Sequence, residues 1–152
     1  MASMRLDFVS QDHLVFTGDV TEIRASGIDG ELGILPRHAP LITVLAPGEV
    51  QVKREEGDDL FFAVSGGWME VLPSQVTILA RTAERSDEID LQRAEAARMR
   101  AEELLAQGVE REDRAALEMQ IRRSQTRLRV GRRQGGWRGQ TGPESDTTTR
   151  MG

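Results

Sequence analysis

Residues Gly27 to Val50 read GIDGELGILPRHAPLITVLAPGEV, and this stretch decides the fold. It holds three prolines, a lone histidine and two short apolar runs in a length that could otherwise carry one hairpin. Apolar runs bounded by Gly and Pro read as short strands separated by enforced turns. Pro36 and Pro40 bracket Arg37, His38 and Ala39. Each ring fixes its own φ and restricts the residue before it, so this connection is expected to be an ordered loop with few conformations. Ordered loops on a rigid β scaffold are where partner contacts concentrate.

The same pattern extends outward in both directions. Upstream, Leu6 and Phe8 alternate with Arg5 and Asp7, followed by Leu14–Phe16 and Val20–Ile23. Within and beyond the opening stretch come Leu32–Leu35, Leu41–Leu45, Glu49–Lys53, Leu60–Val64, Trp68–Leu72 and Val76–Leu79. Many short strands, β-branched residues and frequent Gly/Pro turns predict an antiparallel sandwich or barrel. At Ser86 the character changes. Ser86-Asp87-Glu88 offers an N-cap and an acidic first turn to a run of strong helix formers that Gly108 ends. A second helix is expected from about Glu112, with Leu117, Ile121 and Leu128 at helical spacing and arginines crowding its end. So short a connection predicts an antiparallel pair. Its apolar stripes are thin and alanine-rich, so the pair must dock on the sandwich, on a partner, or on each in turn. The fold class is thus α+β: an antiparallel β-sandwich over 1–85, an α-helical hairpin over 86–133, and a Gly-, Thr- and Arg-rich tail over 134–152, expected to be disordered.

Composition narrows the function. With 152 residues the chain holds one ordinary domain or a small domain plus an appendage. A net charge of −5 disfavours a general nucleic-acid binder. The absence of cysteine excludes disulfides and thiolate metal sites. The N-terminus lacks a secretory h-region and no apolar run reaches membrane-spanning length, so a soluble cytoplasmic chain is expected, meeting a membrane only through a partner.

Candidate sites are few. His13 and His38 lack ligand spacing, so no metal is expected, and no catalytic residues stand out. Gly27, Gly30 and Gly33 lack the following helix that a phosphate-binding turn needs, and Gly66-Gly67 is a turn between strands. The hairpin arginines are more informative. Arg93 and Arg100 share one face of the first helix, and Arg123 and Arg127 share a face of the second. Closed antiparallel, the two pairs could converge on one anion with Glu84 and Asp90 nearby. The competing reading is a solvated surface neutralised by Glu95, Glu102 and Glu103. A stand-alone nucleotide-binding or RNA-binding module remains the alternative, the latter resting on Arg122 to Arg138 with Trp137.

GELGILPRHAPLIT at Gly30–Thr43, PGEV at Pro47–Val50, FFAVSGGWMEVLPSQVTILA at Phe61–Ala80 and RLRV at Arg127–Val130 together resemble the ε subunit of bacterial and chloroplast F-type ATP synthases. The resemblance spans nearly the whole chain except its last twenty or so residues, in order and in register. It implies a non-catalytic rotor subunit of a rotary ATP synthase, peripheral on the cytoplasmic face of the bacterial inner membrane. The implied partners are the γ subunit, the c-subunit ring and, in an extended hairpin state, a catalytic β subunit. Glu31 is then a c-ring-facing position and His38 a γ-facing one. Arg122, Arg123 and Arg129 are assigned to the β-subunit contact that blocks hydrolysis. Some members bind ATP through an I/L-D-x-x-R-A motif, which Ile89, Asp90, Leu91, Gln92, Arg93 and Ala94 match. Arg100, Arg123, Arg127 and Glu84 fall where that site's further residues do. The resemblance therefore favours ATP as a regulatory ligand, with no obligatory cofactor. The Gly/Thr-rich extension after Val130 departs from the family's usual ending.

Overall fold

The computed structural model describes residues 2–138, with side chains as far as Arg133. The strands are β1 (Met4–Ser10), β2 (Leu14–Val20), β3 (Glu22–Gly27), β4 (Gly30–Ile34), β5 (Leu41–Lys53), β6 (Leu60–Val64), β7 (Gly67–Val71), β8 (Gln75–Ala80) and β9 (Ala83–Arg85). The helices are α1 (Leu91–Ala106) and α2 (Arg111–Arg138). The sandwich is one sheet doubled over on itself. Its path runs β2-β1-β8-β7-β5-β3-β4, with β6 pairing β5 and β9 pairing β6.

The fold-over happens within β5. Its first part pairs with β7 through Leu41–Leu45, and its second part pairs with β6 through Gly48–Val52. Pro47 stands between the two ladders, where its missing N–H costs nothing. The sequence predicts two strands here, Leu41–Leu45 and Glu49–Lys53; they are one strand that serves both layers. One further pairing differs from expectation: β1 and β8 run parallel, while all other pairs are antiparallel. The predicted strand Val20–Ile23 is divided between the end of β2 and the start of β3.

Alternation builds the core. Leu6 and Phe8 of β1, Met69 of β7 and Ile78 of β8 point inward from one layer. Ile23, Ile34, Val50, Val52 and Phe62 oppose them from the other. Phe8 and Phe62 meet edge-to-face across the layers at 4.9 Å between centroids. At Gly67 the first residue of β7 has φ +155°, and an added Cβ would sit 2.1 Å from the Leu79 carbonyl oxygen. Only glycine lets β7 approach β8 at that point.

The opening stretch folds as read. Gly27 pairs with Gly30 to close the β3–β4 hairpin, and the 36–40 segment is an ordered loop. Arg37 sits there at φ +67°, with its N–H donating to the Pro73 carbonyl at 2.8 Å. A non-glycine residue in this region is uncommon and is held by its surroundings.

The hairpin begins later than the sequence suggests. Ser86–Glu88 forms a single 3₁₀ turn with Ser86 buried, and Asp90 is the N-cap of α1, its Oδ1 accepting from the Arg93 N–H at 3.0 Å. Gly108, at φ +80°, ends α1 as read. Ala94 and Ala101 of α1 face Ser124 and Leu128 of α2, all buried. A Cβ at Gly131 would lie 2.6 Å from Leu91 Cδ2, which places the end of α2 against the start of α1 and makes the pair antiparallel. The backbone of α2 continues to Arg138. The expected disordered tail lies outside the described residues from 139 onward.

Candidate functional site

The hairpin docks on the outer face of β6. Phe61 and Ala63 point outward there, and they cluster with Ile89 and with Val130, which is fully buried. Complete burial of one valine contributes about 1.5–3 kcal/mol. Two arginine forks flank this contact. Arg127 donates to Glu84 of β9 from Nε at 2.6 Å and Nη2 at 3.0 Å. Arg133 donates to Glu49 of β5 from Nε at 3.2 Å and Nη2 at 2.8 Å, and its guanidinium lies 5.0 Å from the centroid of the Phe61 ring. Bidentate Arg–carboxylate pairs fix geometry as well as charge. The two forks hold α2 to the sandwich on either side of Val130.

The buried seam also sorts the arginines. Arg93 and Arg100 each precede a buried α1 residue, Ala94 and Ala101, by one position. Arg123 and Arg127 each precede a buried α2 residue, Ser124 and Leu128, in the same way. In an antiparallel pair of right-handed helices, these positions fall on the same flank of the hairpin. The sequence-predicted set therefore shares one side, the side on which Glu84 meets Arg127. Among the described residues, Arg93, Arg100 and Arg123 are exposed and have no ion pair. Ile89 and Ala94, the apolar members of the motif, are buried: Ile89 packs under Val130, and Ala94 lies in the seam. Asp90 is engaged as the helix cap. Three unpaired guanidiniums thus share this flank with a fourth that a carboxylate holds.

The opposite flank has different chemistry. Glu95, Arg98, Gln125, Leu128, Arg129 and Arg132 line an open cleft of about 480 Å³ between the helices. Arg98 bridges Glu95 and Glu102, the acids that the solvated-surface reading offers to Arg93, Arg100, Arg123 and Arg127. The carboxyl of Glu95 is held below its ordinary range by the hydrogen bond from Arg98, which outweighs the opposing effect of burial, with smaller contributions from the charges of Arg98 and Arg132. Arg122 and Arg129 are seven apart and share this flank, whereas Arg123 lies on the other; all three are exposed. Glu31 is exposed on β4, and His38 is half-buried in the 36–40 loop with Nδ1 2.7 Å from the Ala39 carbonyl oxygen. Sequence reasoning missed Glu49, Phe61 and Arg133, and no spacing signal could have linked residues 84 positions apart. Among the described residues there is no cluster able to hold a metal ion, and no helix is long and apolar enough to cross a membrane.

A family model described as the ATP synthase delta/epsilon chain beta-sandwich domain matches residues 3–86, and a second, for the long alpha-helix domain of the same chain, matches residues 87–131. The chain belongs to the ATP synthase delta/epsilon family. It is 46% identical to the ATP synthase epsilon chain of Herpetosiphon aurantiacus over 129 residues, covering 85% of this chain and 94% of that one. It is 45% identical to the epsilon chain of Moorella thermoacetica over 130 residues, covering 86% and 97%. Among solved structures, it is similar to a chain of the Euglena gracilis mitochondrial ATP synthase OSCP/F1/c-ring assembly, with TM-score 0.71 and 27% identity over 80% of this chain and 76% of that one. A chain of the Tetrahymena thermophila mitochondrial central stalk/c-ring shares the fold at TM-score 0.62 and 14% identity, covering 86% and 97%. This epsilon-family member is a non-catalytic subunit of a rotary ATP synthase.

Proposed function

We propose that the chain works in the rotor, its sandwich joining the γ subunit and the c-subunit ring so that ion translocation drives ATP synthesis, with Glu31 toward the ring and His38 toward γ. In this reading the complex tethers the chain to the membrane as a peripheral subunit on its cytoplasmic face. The hairpin is the regulatory arm. Docked, as found here, it leaves catalysis free; released and extended along γ, it brings Arg122, Arg123 and Arg129 to an acidic surface of a catalytic β subunit and blocks hydrolysis. ATP is the ligand that favours the docked form.

The observation that carries this reading is the set of four arginines on one flank, with Arg127 already bonded to Glu84. A triphosphate bridging Arg93 and Arg100 of α1 to Arg123 and Arg127 of α2 would offset its charge only while the two helices are closed. It would shift the population toward the docked state by no more than its differential affinity for that state. Glu84 either yields Arg127 to the phosphates or turns to accept a hydrogen bond from the base or ribose.

Calorimetric titration of the full chain with ATP tests the ligand. Loss of one charge-assisted contact costs about 1.5–3 kcal/mol, so Arg93→Ala should weaken binding about 10- to 100-fold. No heat at millimolar ATP, or equal binding by the variant, would sink the ATP reading. The inhibitory arm is tested by ending the chain after Asp87, which retains β9 in its ladder with β6. The assembled synthase should then hydrolyse ATP faster, and an unchanged rate would remove the arm from the mechanism.

A further inference from the structure

The cleft on the flank away from Glu84 has two unlike walls. On α1, Glu95, Arg98 and Glu102 follow one another at helical spacing. Arg98 is consumed within that wall: Nε and Nη2 donate to Glu95, and Nη1 donates to Glu102 at 3.2 Å. On α2, Gln125, Arg129 and Arg132 line the cleft as one stripe, four and three residues apart. Neither Arg129 nor Arg132 has a side-chain hydrogen bond or an ion pair among the described residues. Leu128, only 6% exposed, makes the floor between the walls.

Solvated arginines on a helix need no explanation by themselves. These two differ in placement. They are neighbours on one stripe, and like charges so spaced oppose the helix that carries them unless an anion lies between them. The macrodipole does not account for them, because its effect is confined to the last turn and α2 continues to Arg138. The acids opposite do not neutralise them either, because Arg98 already takes both Glu95 oxygens and one of Glu102. The cleft therefore keeps two free guanidiniums and a side-chain amide on one wall, over an apolar floor.

That donor set suits a phosphate. Two guanidiniums and an amide supply N–H groups from three side chains, which match a dianion with three equivalent oxygens better than a carboxylate that one fork satisfies. A phosphate group takes the room of about three waters, about 90 Å³, which is a small part of the 480 Å³ cleft. The remaining space has the size of a small-molecule site. Its Leu128 floor suits a carbon skeleton, and the carboxylates of Glu95 and Glu102 retain lone pairs for hydroxyl donors.

We propose that Gln125, Arg129 and Arg132 form a phosphate-binding site in the cleft between the helices, separate from the flank of Arg93, Arg100, Arg123 and Arg127. Its ligand is a phosphate group, carried on a small hydroxylated skeleton that rests on Leu128. Arg129 also belongs to the set assigned above to a β subunit, so an occupied cleft withholds it from that contact. The binding itself does not depend on that assignment or on the ATP reading.

The test follows the full chain by ¹H–¹⁵N correlation spectra at pH 7 and fixed ionic strength, titrated with glycerol phosphate and, separately, with inorganic phosphate. The side-chain amide of Gln125 and the Nε–H groups of Arg129 and Arg132 should shift together and saturate at millimolar ligand. Tighter binding of glycerol phosphate assigns the cleft to an ester, and equal or tighter binding of inorganic phosphate assigns it to the free ion; each supports the site. Arg129→Gln and Arg132→Gln should each weaken the Gln125 response about 10-fold or more, whereas Arg93→Gln, on the other flank, should leave it as in the wild type. Circular dichroism and thermal melts confirm folding of each variant. Absence of a saturable shift at Gln125, a shift that sodium chloride reproduces, or an equal response in folded Arg132→Gln would overturn the proposal. So would a response that Arg93→Gln abolishes, since that places the anion on the flank proposed for ATP. A response seen only in the Glu144→Gln/Asp146→Asn double variant would also overturn it, by giving the cleft to the chain's own acids.

Discussion

Arg133→Gln tests how the hairpin is held. The side chain keeps most of its length and helix propensity but loses the fork to Glu49 and the cation over Phe61. Exposed ion pairs contribute about 0.2–1 kcal/mol, and this one belongs at the upper end because it is bidentate and Glu49 is only 14% exposed. The contact with the Phe61 ring adds about 0.5–1 kcal/mol. Together the loss should be about 1.5–2 kcal/mol, a shift of about 10- to 30-fold in the docking equilibrium. Amide hydrogen exchange in residues 121–133 reads that shift, because undocked α2 loses the packing that sustains its helix. Salt should mimic the substitution: about 1 M ionic strength shortens the screening length to about 3 Å, which should speed exchange in the wild type more than in Arg133→Gln. A double-mutant cycle with Glu49→Gln isolates the pair. Unchanged exchange in Arg133→Gln, or a cycle with no coupling, would refute the latch and leave Val130 and Arg127 as the whole of the docking energy.

Two further expectations concern the sandwich. Gly67→Ala forces a Cβ against the Leu79 carbonyl, a backbone atom that cannot move without breaking the β7–β8 ladder; a loss of about 3 kcal/mol or more is expected in urea unfolding, and near-wild-type stability would mean the strands can part. The carboxyl of Asp7 is held below its ordinary 3.8 by hydrogen bonds from Thr17 and Gln75, which outweigh the opposing effect of burial, with the smallest contribution from the charge of Arg5. A group with a lower value folded than unfolded stabilises fully above the unfolded value, and the contribution fades as pH falls through the folded one. Asp7→Asn should therefore flatten the acid limb of the stability–pH curve below about pH 4, and urea midpoints falling as steeply as in the wild type would count against it.

The sandwich was legible because its strands alternate and its turns are punctuated by Gly and Pro. The errors have local causes. Pro47-Gly48 looks like a break, yet proline stands where β5 passes from one partner strand to another and needs no donor. β9 carries Ala83, Glu84 and Arg85 without alternation, so nothing in the sequence announced it. Ser86 and Asp90 are both competent caps, and burial of Ser86 in the 3₁₀ turn leaves the role to Asp90. The arginine flank was legible from spacing because helical period places Arg93 with Arg100 and Arg123 with Arg127. The Glu84–Arg127 fork joins residues 43 apart; the converging-arginine reading set Glu84 nearby, but no spacing announced the pair itself. The Glu49–Arg133 fork had no such guide.

Strand β9 has a mechanical consequence. It is hydrogen-bonded to β6 through Val64, Ala63 and Phe62, so it belongs to the rigid sandwich, and α1 begins only at Leu91. The segment 86–90 is the whole leash between them. Fully drawn out, five residues reach about 17 Å. However far the tip of the hairpin swings, its root stays within that radius of Arg85, beside the β-sheet edge where Glu84 waits for Arg127. In the proposed switch, release would therefore be a rotation about a fixed pivot, and redocking would need no diffusional search by the helices for the surface they left.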